Sequence, residues 1–450
     1  MSRAEGPGAI QKLYSQRWRI WIVAVLAHTI GMFHRAAMAP MADRLMADFS
    51  ISALAFGSLG AVYFYIYAAM QLPSGVLADT LGPRKTIAAG LLLSTLGSLI
   101  MSAAPSFGVA YAGRLVVSFG VSIVWLSVIK VLMGWFRTRD LATMTGLSGS
   151  LANLGQVAAA TPLALMVMWV GWRMSFVSVG LVSFALALAN WFIVRDSPAQ
   201  VGLPHTAEPD PKDGLQVAPT SPSSDLSLAR RFKIVFGNRH LWPLFLLASG
   251  TYGAYATLFH NWAVIYLMQI YGVQRDFAAN FVLIATIGMM VGFPVAGLLS
   301  DRIWKRRRLP AVLFTGLCLT SFLILALWDG GRPPIGMLYP LSFFMGLGTA
   351  AMPITFAVIG DVVQPSVRGL ASGLINMGFF VGAAIAQPLF GYILDRGWRG
   401  QMVAGARVYP LEAFQQGLFL CCGLVALGFL GALLVKETRG REERGAGGQV

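Results

Sequence analysis

Gly75-Val-Leu-Ala-Asp79-Thr-Leu-Gly82-Pro-Arg84-Lys85 is a short polar turn between two long apolar runs, with an acid, a glycine and two bases in order. The same grammar returns 222 residues later as Gly297-Leu-Leu-Ser-Asp301-Arg302, followed by Lys305, Arg306, Arg307 and Arg308. Trp304 stands where the first copy has Gly82. A polar hinge repeated at half-chain spacing means that the chain is built twice, as two-halved membrane proteins are.

Composition agrees. Of 450 residues, 56% are hydrophobic and only 12% charged, about half the charge of a soluble domain. The net charge of +15 does not form a nucleic-acid stripe. The bases sit in the gaps between apolar runs, where positive-inside topology and anionic headgroups want them, so membrane lipid is the partner and nucleic acid is excluded. Cys318, Cys421 and Cys422 lie inside apolar runs and read as packing residues, with no disulfide framework and no metal spacing. The basic stretch before residue 20 has no cleavage pattern, so the first apolar run is expected to remain as a span.

Apolar runs of about 18 residues or more read as helices, because lipid leaves the backbone no other way to pair its polar groups. Twelve such spans are predicted: 20–42, 53–77, 84–104, 107–133, 141–168, 172–194, 241–270, 277–299, 309–328, 336–360, 369–393 and 412–435. The stretch between, rich in Pro, Ser, Asp and Lys, reads as a flexible linker. The predicted organisation is a six-helix half at 1–194, a cytoplasmic linker at 195–239 and a second half with its tail at 240–450. With both termini inside, inner segments carry 24 Lys and Arg against 7 outside, which predicts cytoplasmic termini. Further echoes support the repeat. Arg139-Asp-Leu-Ala-Thr and Arg368-Gly-Leu-Ala-Ser each open a Gly/Ser-rich span that carries an Asn (Asn153, Asn376) and a later Pro-Leu.

On these residues the chain resembles the major facilitator superfamily over essentially its whole length. The motif Gly75-x-Leu77-Ala-Asp79-x-x-Gly82-x-Arg84-Lys85, its degenerate copy at 297–308 and Arg114-x5-Gly120 carry the resemblance. It implies an all-α membrane protein of twelve transmembrane helices in two pseudo-symmetric six-helix bundles, working as a monomer. It also implies that Asp79, Arg84, Asp301 and Arg302 are gating residues on the cytoplasmic side rather than substrate ligands, and that Arg114 is a gating residue of structural or coupling character, following the helix-4 pattern.

All 19 Asp and Glu fall in loops, tails or span ends, which argues against a carrier that trades organic cations for protons through a buried carboxylate. The embedded bases remain. Arg35, within Gly31-Met-Phe-His34-Arg35, must face a wet cavity or an anion, or else snorkel to the outer headgroups. It resembles the Asp-Arg pair of the superfamily's organic-anion symporters, with His34 where the acid would be. Lys130, five residues before Trp135-Phe136, matches the same symporters, and snorkelling is its bland reading. Shifting His34 by the repeat offset lands on 256–263, making His260 its counterpart in span 7. Tyr252, Tyr255, Phe259, Asn261 and Trp262 surround it as a possible ligand cover, or as ordinary aromatic packing. His34 and His260 are the groups placed to titrate near neutral pH, with His28 close by.

The expected function is secondary transport of a small organic anion coupled to protons at the inner membrane. Arg35, Lys130, His260, Tyr252, Tyr255, Trp262 and Asn376 would bind substrate, and His34 or His260 would carry the proton. The alternatives are an exporter of amphipathic drugs or siderophores, and a transporter-like metabolite sensor. No nucleotide loop, catalytic triad or metal cluster is present in the pattern, so neither enzyme chemistry nor a cofactor is expected.

Overall fold

The computed structural model describes residues 7–136, 138–201, 228–364, 367–403 and 405–438. Almost all of them are helical; a two-residue antiparallel hairpin, Met402–Val403 with Ala406–Arg407, is the exception. Among the described residues eight helices are long and apolar enough to cross a membrane, and a ninth if Ser15–Ala36 and Ala39–Asp48 are joined across their 47° bend. One of the eight, Met144–Ile193, is 50 residues long. A helix of that length would extend about 75 Å, against a hydrocarbon core of about 30 Å. Gly171, at φ 77 and ψ 166, breaks it into two passes, where the sequence predicts a boundary between 168 and 172.

Two further passes are interrupted helices. Span 2 is Ala53–Ala69 followed by Gln71–Leu81. Span 7 is Leu241–Thr257, a π turn at Leu258–Trp262, and Ala263–Tyr271. With these, the helices account for the twelve expected spans. Span 3 is Pro83–Ser102, and span 4 is Phe107–Ser122 with Val124–Trp135. Spans 8 to 12 follow as Arg275–Leu298, Arg308–Leu327, Ile335–Gly348 with Ala351–Val362, Arg368–Gly397 and Leu411–Leu434. The first hinge turns on Gly82 at φ 82; in the second copy Trp304 is ordinary and Lys305 takes the positive φ of 48 instead.

The chain forms two compact units. One comprises the chain up to Arg35, Ala69–Ala158 and Val170–Ser224; the other comprises Ala36–Ala68, Ala159–Trp169 and Asp225–Val450. In the first unit, spans 3 and 4 meet along a glycine seam. A Cβ on Gly97 would lie 2.6 Å from the carbonyl oxygen of Gly113, so only hydrogen fits there. Asp196, just after span 6, accepts the Arg84 main-chain N–H at 2.8 Å and so caps the start of span 3.

In the second unit, Glu437 after span 12 accepts the main-chain N–H groups of Arg307 at 2.7 Å and Arg308 at 3.1 Å, capping span 9. The segment Ala36–Ala68 is fixed to spans 8 and 11. Arg275, buried to 5% exposure, makes a two-pronged pair with Asp43 and also donates to the Pro40 carbonyl. Asp395 near the end of span 11 accepts the N–H groups of Ala53 at 2.9 Å and Leu54 at 2.7 Å, satisfying orphan donors at the start of span 2. Arg407 donates to the same carboxylate at 3.0 Å, and the Tyr409 hydroxyl does so at 3.3 Å. Burial, reinforced by the charge on Asp395, pushes the Tyr409 phenol well above its ordinary pKa.

Candidate functional site

His34 and Arg35 occupy the last turn of Pro7–Ala36, immediately before the bend. The carbonyls of a final turn are unpaired within the helix and carry partial negative charge, which favours bases there. Arg114, fully buried on span 4, donates to the His34 carbonyl at 2.9 Å. It therefore serves as a side-chain cap on span 1. The His34 ring is itself fully buried, and neither of its nitrogens has a hydrogen-bond partner. Arg35 is 8% exposed, so the structure keeps its guanidinium inside. His28 stacks on Trp125 with ring centres 4.5 Å apart.

Lys130 is used in the same way as Arg114. Its ammonium donates to the Ala78 carbonyl at 3.0 Å, one of the orphan acceptors in the last turn of Gln71–Leu81. Arg84 turns toward span 6: its Nε donates to the Trp191 carbonyl at 2.9 Å, and the guanidinium lies 4.6 Å from the Trp191 ring centre. Asn190 donates to the Arg84 carbonyl at 2.8 Å. Arg84 thus clamps span 3 to span 6 within one half. Arg302 is exposed in the second hinge. The side chains of Asp79 and Asp301 lie outside the described residues.

In the second unit, His260 is 1% exposed and sits among rings. Tyr255 is 5.6 Å away edge-on, Tyr252 6.2 Å away, and Phe64 of span 2 lies parallel at 6.2 Å. The π turn adds a residue to the helical circuit, and such turns recur at functional sites. Phe380 of span 11 joins through Tyr67 at 4.5 Å. The sequence reading missed Phe64, Tyr67 and Phe380. The signal was there as Tyr63, Phe64 and Tyr67 at helical spacing and the Phe379-Phe380 pair.

Trp262 does not join this cluster. It stacks on Phe390 at 5.4 Å and meets Phe56 edge-on at 5.4 Å. Asn376 is half-buried on span 11. A separate cavity, lined by Leu258, Phe259, Phe281, Leu325 and Met345 among others, has no charged wall residue.

The family model for the Major Facilitator Superfamily matches residues 23–333 and, in a second overlapping match, 261–449. A probable sulfoacetate transporter, SauU, of Cupriavidus necator is 25% identical over 425 residues, covering 92% of this chain and 94% of that protein. A probable hexose phosphate transport protein of Chlamydia muridarum is 24% identical over 450 residues, covering 94% of this chain and 92% of the relative. Among solved structures, a bacterial homologue of the human lysosomal transporter Spinster, in an inward-facing unoccupied conformation, superposes with a TM-score of 0.73. That match is 17% identical, covers 93% of this chain and 97% of the other, and shows the shared fold. The chain belongs to the Major Facilitator Superfamily, a family of multi-pass membrane transporters rather than enzymes.

Proposed function

We propose that this chain carries a small organic anion together with a proton across the cytoplasmic membrane by alternating access. The reading makes it a monomer in lipid, with halves at 1–194 and 240–450, a linker at 195–239 and both termini cytoplasmic. The observation that carries it is Arg35, a guanidinium buried in an apolar span and next in sequence to His34, whose ring nitrogens have no hydrogen-bond partner. Holding such a charge at membrane depth costs at least about 2.5–3.5 kcal/mol. A carboxylate-type ligand offsets that cost through two parallel charge-assisted hydrogen bonds. Sulfoacetate and hexose phosphates, named for two relatives, are anions of suitable size and support this class.

In this mechanism Arg35 holds the anionic group and Lys130 is the second base. His34 or His260 carries the proton, with Tyr252, Tyr255 and Asn376 completing the ligand's surroundings and Trp262 packed apart from them on Phe390. Asp79, Arg84, Asp301 and Arg302 govern the cytoplasmic side, and Arg114 takes its gating part at the far end of span 1, where it holds the His34 carbonyl. On the outer side, the Asp43–Arg275 pair and Asp395 at the start of span 2 act as the latch in this reading. The test is uptake in proteoliposomes under an inward proton gradient, with a panel of mono-, di- and phosphorylated carboxylates. Uptake of one anion class that Arg35→Ala abolishes is expected; normal uptake by Arg35→Ala would refute the clamp.

A further inference from the structure

Where Ala36–Ala68 meets spans 7 and 11, two amide side chains are buried with unpaired polar atoms. Asn261 is 1% exposed and its Nδ2 has no hydrogen-bond partner; Gln387 is fully buried and its Oε1 has none. The other end of the Gln387 amide donates to the Ala256 carbonyl at 3.3 Å, beside the π turn. Each orphan group carries a desolvation cost that a leucine in either place would not.

Both amides converge on one glycine of span 2. A Cβ on Gly60 would lie 2.3 Å from Asn261 Nδ2, 2.4 Å from Asn261 Oδ1 and 2.6 Å from Gln387 Oε1, so donor and acceptor atoms meet at one point. One turn earlier, a Cβ on Gly57 would lie 2.4 Å from the Gln387 carbonyl oxygen. Span 2 therefore seals the two amides with bare backbone. The indole N–H of Trp262 is a third buried orphan next in sequence to Asn261.

We infer that Asn261 and Gln387 form a subsite for a substrate hydroxyl, uncovered when span 2 lifts away, so that the transported anion is a hydroxylated one. The inference rests on the proposed anion-transport function. A donor amide and an acceptor amide facing one point complement a group that both accepts and donates. A hydroxyl does both. An ionised carboxylate has no proton for Gln387 Oε1, and an ammonium has no lone pair for Asn261 Nδ2. Specificity follows as well, because a site built to pair a hydroxyl leaves buried polar groups unpaired with an analogue that lacks it.

The experiment uses the full-length protein in proteoliposomes and three matched sets of probes: glycerate, propionate and glycerol; tartrate, succinate and threitol; galactarate, adipate and galactitol. Each set holds a hydroxylated anion, its deoxy counterpart of equal charge, and the uncharged polyol. Competition and uptake are read in the wild type and in the near-isosteric Asn261→Leu and Gln387→Met. At least a tenfold preference for one hydroxylated anion over its deoxy counterpart is expected, with the ratio falling towards one in both variants. A wild-type ratio of one in every set overturns the subsite while leaving anion transport standing, and it needs no variant to fold. A ratio kept in both variants overturns it too. A polyol bound as well as its anion, in a Gln387-dependent way, supports the subsite and refutes the anion reading. Silence from all nine probes overturns both.

Discussion

Asp196 and Glu437 perform one task in the two halves: each follows the last span of its half and accepts main-chain N–H groups at the start of the third span of that half. They are 241 positions apart, while the N–H groups of Arg84 and Arg308 are separated by 224, so the cap is kept although the sequence between has grown. An N-terminal cap is worth about 1 kcal/mol. Asp196→Ala and Glu437→Ala should each lower the thermal midpoint of the purified protein by an amount matching that loss. Equal midpoints for either variant and the wild type would show that water or a neighbouring group replaces the cap.

Arg275 is buried and its partner Asp43 is 21% exposed. Removing one partner of a buried pair costs about 3–5 kcal/mol, and partial exposure places this pair at the lower end, about 3 kcal/mol. Arg275→Leu should destabilise the arrangement seen here more than Asp43→Asn with Arg275→Leu together, because the single change leaves a lone carboxylate. The readout is labelling by a membrane-impermeant thiol reagent of a cysteine placed at Ala53, which is fully buried here. Labelling should rise most in the single variant, and unchanged labelling would exclude these contacts as the outer seal.

Arg35 and Arg114 are both embedded bases, and they should fail differently. Arg114→Ala strips a hydrogen bond from the His34 carbonyl, so it should lower the thermal midpoint. A hydrogen bond to a charged group is worth about 1.5–3 kcal/mol. Arg35→Ala should leave the midpoint near that of the wild type and remove anion uptake. Identical behaviour of the two variants in both assays would refute the division of roles.

Glycine substitutions separate the seam from the rest of the chain. Gly57→Val and Gly60→Val should reach the membrane but lose turnover, because the added Cβ alone meets backbone or amide atoms within 2.4 Å. Gly146 and Gly149 have nothing within 4 Å of an added Cβ. Alanine there should be neutral or stabilising by about 0.5–1 kcal/mol, since it restricts the unfolded chain at helix-compatible sites. Melting curves and uptake rates on the four variants check both halves of this prediction.

The fold was legible because apolar runs and their basic punctuation are sequence-local signals. The repeated hinge identified the symmetry, and Arg35 stood out because a base within an apolar run needs a reason. Arg114 and Lys130 stood out equally, yet they donate to the carbonyls of His34 and Ala78, and a main-chain acceptor leaves no mark in a sequence. Arg275, Asp43 and Asp395 looked like ordinary loop charges, since pairing across more than two hundred residues has no local signature. Trp262 shared the helical spacing of the His260 cluster but faces Phe390, because the π turn shifts the register of span 7 at that point.

Between Ala53 and Gly60, the contact of span 2 with span 11 is made largely of glycine and main chain: Gly57 on the Gln387 carbonyl, and Gly391 on that of Ala53. Long side chains give up as much as about 2 kcal/mol of rotamer entropy each when an interface closes, whereas glycine has no side chain to immobilise. Closing this seam therefore freezes little at its centre, and parting it releases little. The heat of the motion should come from dispersion and the ionic ties at the rim, with little side-chain entropy to offset it.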